Sequence, residues 1–431
     1  MRASFKTIDI TGSIGMRMSG FAEREHGNVG VHDPVLVKIA VIESAGSYLA
    51  MAACDCIGVD LNGVSEIRRI VSERTPIRPE NILIAATHTH ASYQAVTYGA
   101  TGFRTRMLYE PKMGEQDRAY YETFKAKIIG GIIWAYETLE EVRVGYAHST
   151  LEGLGTNRND PHGYDDNTVN VLRVERPDGA LLGALVNYGC HPTVLPWQNY
   201  LISADYPGYT RDLVQQTFPG STCMFLQGTS GGASTRFTRR GNTFEEAQRF
   251  GYLLGAEALK LLCHIETHAE ELPISAKLEN LVLKVKSFPS DEFLLNQIDS
   301  VKSRLKFLEE TNADERETRK QYVTLLGAER TYQMKQFIRD EQAETQMQLV
   351  KLGELNFITI PGEPFAEIGR DIKAVMGEKT FVLGYTNDYI GYLVSNEGLL
   401  TEGYEKFMTP FDATTHERIV DTAVRLYRDL A

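Results

Sequence analysis

The feature that most limits how this chain can fold is a set of short apolar runs that stop abruptly at polar or glycine-rich clusters. Asn81 to Ala86 ends in Thr87-His88-Thr89-His90, and Ala184-Leu-Val-Asn-Tyr-Gly-Cys190 ends in His191-Pro192. Cys223 to Leu226 runs into Gly228-Thr-Ser-Gly-Gly-Ala-Ser234, and Leu355 to Ile360 precedes Pro361-Gly-Glu363-Pro364. Runs this short, bounded by turn residues, read as buried strands rather than helices. The open ends of such strands are where α/β sheets build their sites.

Between these runs lie the other parts of an α/β domain. Pro34 to Ile42 and Tyr48 to Ile57 read as a hairpin, followed by a helix over Asn62 to Ser72. A long helix is expected from Glu115 to Glu141, with strands at Val142 to Tyr146, Thr168 to Glu175 and Leu181 to Tyr188. Thr243 and Glu246 have capping-box spacing ahead of an amphipathic helix. Residues 290 to 345 are charged, with Leu294, Ile298, Val301, Leu305 and Leu308 at helical spacing, which predicts an antiparallel helical pair. A strand, a turn, the helix to Val375 and the strand Thr380 to Leu383 then resume the core. No internal repeat or low-complexity linker is visible. The expectation is one large α/β mixed-sheet hydrolase domain over residues 1–431, with a helical-hairpin insertion at about 290–345.

Composition narrows the function classes. With 42% hydrophobic and 24% charged residues, the chain is neither disordered nor fibrous. A net charge of −12 with no basic run sets nucleic acid aside as a partner. No stretch approaches the roughly 18 apolar residues of a transmembrane helix, and Met1 to Ile10 lacks the apolar core of a signal peptide. Cys54, Cys56, Cys190, Cys223 and Cys263 are odd in number and widely spaced, as free thiols would be. These features lead to the expectation of a cytoplasmic protein.

His88 and His90, spaced i and i+2 at a strand end, can present imidazoles on one side. Taken singly, they or His191 would serve as satisfied core histidines, and Glu363 as a helix cap. Their common placement just past apolar strands brings them toward one crevice. Two histidines and a glutamate form a zinc set with an open position, although manganese and iron accept the same donors. Lowering a water pKa from 15.7 to about 7 is worth on the order of 12 kcal/mol, more than an unassisted serine receives.

Further matches are Asp9-Ile-Thr-Gly12 with Gly15 and Met18, Gly30-Val-His32, Asn157-Arg158, Gly391-Tyr392 and Tyr404. In their order and spacing these elements resemble the neutral/alkaline ceramidases, zinc amidases that cleave the N-acyl bond of ceramide, over nearly the whole chain. The resemblance implies one zinc per chain held by His88, His191, Glu363 and Tyr392. It further implies that Arg158 and Tyr404 stabilise an oxyanion and that His90 protonates the leaving amine. Ser234 stands at the family's essential serine, but within Gly231-Gly-Ala-Ser234, where the family has Gly-Asp-Val-Ser; it is expected to contact substrate.

The implied function is hydrolysis of an N-acyl amide by metal-activated water, with a small-molecule acyl-amide or lipid-like substrate and a place in lipid metabolism. The family's C-terminal immunoglobulin-like domain is not expected in this chain, which points to a substrate more soluble than ceramide. Two alternatives stand beside this reading: hydrolysis of an ester or sugar-linked group at the same metal, and a non-catalytic ligand-binding relative. The helical insertion would form a wall of the site or a homo-oligomer contact.

Overall fold

Leu36–Ser44 (β2) and Ser47–Cys54 (β3) form the expected hairpin, in register from Val37 opposite Cys54 to Ser44 opposite Ser47. Its two turn residues, Ala45 and Gly46, both take positive φ (50° and 73°), the twist that matches paired strands. Arg2–Asp9 (β1) pairs antiparallel on one side of it. On the other side the chain crosses over through helix Leu61–Arg74 (α1) and returns as Ile82–Ala86 (β4), parallel to β3. Asp60 caps α1 by accepting the Gly63 N–H.

The computed structural model describes residues 1–431 except 22, 95–114, 312–313, 339 and 402. After helix Glu115–Glu137 (α2), the same plan recurs twice. In the second unit Arg143–Thr150 (β5), Thr168–Glu175 (β6) and Leu181–Tyr188 (β7) run antiparallel in turn. Helix Asp205–Thr217 (α3) then crosses to Thr222–Gln227 (β8), parallel to β7, and helix Phe244–His264 (α4) follows. The third unit has Ile274–Lys284 (β9), Gln342–Leu352 (β10) and Leu355–Thr359 (β11), again antiparallel in turn. Helix Ala366–Met376 (α7) crosses to Thr380–Leu383 (β12), parallel to β11.

Helices Asp291–Glu310 (α5) and Glu315–Phe337 (α6) occupy the β9–β10 connection of this third unit, side by side and joined by the Arg304–Glu317 ion pair. The strand begins at Gln342, so the helical stretch is shorter than the sequence suggests. Tyr404–Met408 (α8) and Thr415–Asp429 (α9) complete the nine α-helices among the described residues.

The expected single mixed sheet is therefore several sheets, which among the described residues are one of five strands, including the short Glu140–Glu141 ladder, two of four, and three two-stranded ladders. A twisted open sheet seldom grows much past about ten strands before it splits. Here each main sheet instead buries both faces. The inner faces meet in one shared core, where Phe5, Ile42 and Leu83 join Leu185, Met224, Val350, Phe357 and Phe381. Each outer face packs on two helices: Val64, Ile67, Ile128 and Ile132 cover the first sheet, Val214, Phe250 and Leu254 the second, and Ile368, Ile372, Ile419 and Ala423 the third. No helix among the described residues is long and apolar enough to cross a membrane.

Candidate metal centre

The histidines and Glu363 sit on the turns that leave these sheets, so all three units contribute to one point. His88 follows β4, His191 follows β7 and Glu363 follows β11. His88 is fully buried with φ at 66°, a left-handed conformation that a non-glycine residue holds only when its surroundings enforce it. Tyr385, at the corresponding turn after β12, has φ of 55°, and its ring stacks on His88 at 4.0 Å.

The His88 Nδ1 lies 2.6 Å from Ile57 O, and the His191 Nδ1 lies 2.5 Å from Ser230 O. A carbonyl only accepts, so each Nδ1 carries the proton and each Nε2 turns a lone pair inward. Those two Nε2 atoms are 3.2 Å apart, and the His90 Nε2 is 3.2 Å from that of His88. The Glu363 Oε2 stands 3.2 Å from the His191 Nε2 and 3.5 Å from the His88 Nε2. The other Glu363 oxygen accepts the Tyr389 hydroxyl at 2.8 Å.

Inward lone pairs beside a buried carboxylate repel one another unless a cation lies between them. Protons are poor candidates: burial, reinforced by the Arg158 charge, pushes His191 down to about 4, and burial together with His88 holds His90 well below the ordinary imidazole range. Donors about 2.0–2.1 Å from a tetrahedral zinc are about 3.3 Å from each other, close to the spacing found here. The donor set therefore fits zinc.

Arg158, on the β5–β6 connection, is locked beside this centre. Its Nη2 donates to Gly231 O at 2.8 Å and to the Tyr392 hydroxyl at 3.1 Å, while its Nε pairs with Glu405 at 2.6 Å. Burial pulls its pKa down, but the Glu405 charge, the Tyr392 hydroxyl and the Glu363 charge together outweigh this and keep it charged.

The remaining residues expected from sequence lie close by. The Tyr392 ring is 6.4 Å from His191, and its hydroxyl is engaged by Arg158. Tyr404 meets Tyr392 edge-on at 6.2 Å, and burial pushes its phenol up to about 12. Ser234 bridges His191 through the backbone, and its Oγ accepts the Arg236 N–H at 3.3 Å. Thus His88, His90, His191 and Glu363 form one tight cluster, with Arg158, Tyr392 and Tyr404 along one side and Ser234 supporting the His191 turn.

Sequence reasoning passed over Tyr389, Glu405 and Tyr385. The available signal was the density of tyrosines just past β12, at 385, 389 and 392. Four of the five cysteines are buried, and all five are free thiols.

Fold and site together define a mixed α/β protein with a buried three-histidine, one-glutamate cluster at the junction of three sheets. The profile for "Neutral/alkaline non-lysosomal ceramidase, N-terminal" matches residues 4–228, and the chain belongs to that family. It is 25% identical over 236 residues to neutral ceramidase A of Dictyostelium discoideum, covering 50% of this chain and 32% of that protein. It is 23% identical over 235 residues to the neutral ceramidase of Mycobacterium tuberculosis, covering 49% and 35%. The matched region thus spans about a third of each relative's length. The crystal structure of neutral ceramidase from Pseudomonas aeruginosa superposes with a TM-score of 0.73 at 18% identity, over 99% of this chain and 74% of that one.

Proposed function

We propose that this chain is a zinc-dependent hydrolase that cleaves an N-acyl amide linkage. The observation that carries the reading is the buried cluster in which His88, His191 and Glu363 bring their inward atoms to 3.2–3.5 Å of one another, with the His90 Nε2 3.2 Å from that of His88. Family membership supports the amide as the bond attacked.

The surroundings of each donor suggest how the roles divide. His88, His191 and Glu363 each have their outer atom fixed, by Ile57 O, Ser230 O and the Tyr389 hydroxyl, as metal ligands characteristically do. They hold the metal, with Tyr392 alongside as the fourth candidate. His90 differs: its buried Nδ1 has no hydrogen-bond partner among the described residues. A ring without that anchor suits a group that carries a proton at Nε2 to the leaving nitrogen. Zinc bound here would lower the pKa of water and polarise the acyl oxygen.

Arg158 keeps Nη1 without a protein partner among the described residues, and we assign that group, with the Tyr404 hydroxyl, to holding the acyl oxygen as it gains charge. Ser234 contacts substrate from the His191 side. The free thiols support a reducing compartment, and we place the protein in the cytoplasm.

The test combines elemental analysis with hydrolysis of an N-acyl amide panel. The native chain is expected to hold about one zinc and His88→Ala none, whereas His90→Gln keeps its metal and loses turnover. Full activity in His88→Ala, or a native protein that takes up no metal, overturns the reading.

A further inference from the structure

Three of the main strands lead into a candidate ligand: β4 into His88, β7 into His191 and β11 into Glu363. β8 runs beside β7, with Gln227 opposite Tyr188, and leads into none. Its last residue, Gln227, is fully buried, and its side chain reaches both histidine-bearing turns. The amide nitrogen donates to Thr87 O at 3.2 Å, one residue before His88, and to Cys190 O at 2.9 Å, one residue before His191. The amide oxygen accepts the N–H of Cys190 at 3.3 Å and that of Gly228 at 3.1 Å. Two carbonyls on one side and two N–H groups on the other fix which way the amide faces and fill its bonding capacity.

Backbone contact closes the same junction. The Gln227 carbonyl accepts the Gly384 N–H at 3.1 Å, in the turn after β12 that carries Tyr385. A Cβ on Gly228 would lie 3.0 Å from Gly189 Cα, and one on Gly384 would lie 2.6 Å from Gly228 O, so the turns meet main chain to main chain. Gln227 thus touches all three units, and its side chain directly bridges the two turns whose imidazole Nε2 atoms stand 3.2 Å apart.

We propose that Gln227 is a positioning residue that sets the separation of His88 and His191, so that the two imidazoles are spaced for a metal before one arrives. The inference rests on the zinc reading above and deepens it. Gln227 bonds to main-chain atoms and not to the rings, whose tautomers Ile57 O and Ser230 O already fix. What it contributes is therefore distance. Donors must sit about 2.0–2.1 Å from a zinc ion, and a turn free to drift by a fraction of an ångström delivers its histidine out of reach.

The test uses metal-free full-length protein and cobalt(II), whose visible absorption reports the geometry of its ligands. Gln227→Met removes all four side-chain bonds, whereas Gln227→Glu keeps the shape and the accepting oxygen and loses the amide donor. Each is expected to bind cobalt about 10- to 100-fold more weakly and with an altered spectrum. Should Gln227→Met fail to fold, Gln227→Glu carries the test. Asn187→Ala is the control: Asn187 bonds Leu226 O at 2.9 Å and Val382 O at 3.4 Å, joining the same strands one residue further from the turns. It is expected to keep native affinity and spectrum despite its own loss of stability. Native cobalt binding in the Gln227 variants, or an equal loss in Asn187→Ala, overturns the proposal. If the native chain takes up no metal, the zinc reading has failed by itself, and crystal structures of the native and Gln227→Glu proteins decide about Gln227. Histidine Nε2 atoms further apart in the variant support it, and an unchanged separation overturns it.

Discussion

Three atoms outside the histidine and glutamate cluster decide what its donors can do: Ile57 O, Ser230 O and the Tyr389 hydroxyl. The two carbonyls fix imidazole tautomers, while the phenol fixes which Glu363 oxygen faces inward. The structure places Ser230 in a second role, since its Oγ meets the Tyr385 hydroxyl at 2.7 Å beneath the stacked His88 ring. Of the three anchors only Tyr389 is a side chain, so it alone can be removed cleanly. Tyr389→Phe preserves the ring and deletes the hydrogen bond, and zinc affinity is expected to fall about 10- to 100-fold. Competition with a chelator measures this; an unchanged dissociation constant would mean that Glu363 does not hold the metal. Residues of this kind were hard to read from sequence. A histidine at a strand end announces its chemistry, whereas a tyrosine is ordinarily a half-buried aromatic, and its role here depends on a glutamate 26 positions earlier in the chain.

At the scale of elements, the decisive contact is the one between α6 and α8, because α8 carries both Tyr404 and the Glu405 that clamps Arg158. Gly327→Val puts methyl groups where the Phe407 ring now lies, so α8 must shift. Overpacking of this kind costs about 1–3 kcal/mol. The expected result is roughly a tenfold or greater loss of kcat/KM with zinc content intact. Steady-state kinetics beside metal analysis checks this, and full activity would show that α6 is no part of the site. The elements themselves differ in how clearly the sequence announces them. β4, β7, β8 and β11 are continuous apolar runs because both faces of their sheets are covered, and the turn residues beyond them mark where they stop. β9, at the sheet edge, and the first residues of β10 are partly exposed where the covering helices do not reach, with Lys277, Glu279, Glu344 and Gln346 among their polar positions. In β10 that pattern follows directly on a charged helix, so the helical stretch reads too long. The Thr243 cap forms as its spacing predicts, but Glu246 does not close the box: it turns instead to the Arg240 N–H and the Arg249 guanidinium.

The whole molecule is one strand order used three times, and nothing in the sequence declares it. The first connection of each unit spans residues 10–35, 151–167 and 285–341, so spacing is not kept, and the apolar positions follow burial rather than descent of a visible repeat. What the topology keeps is the placement of turns: the ends of β4, β7 and β11 deliver His88 with His90, His191 and Glu363 to a common point above a common core. A metal held by His88, His191 and Glu363 would tie the three units together. Free metal at a thousandfold excess over its dissociation constant adds about 4 kcal/mol to the stability of whatever must unfold to release it. If the shared core makes the units one cooperative body, scanning calorimetry will show a single transition with and without zinc, moved upward as a whole by the metal. A metal that raises only part of a split transition would mean that the units unfold separately, and that the centre is assembled from independently stable pieces rather than built into their common core.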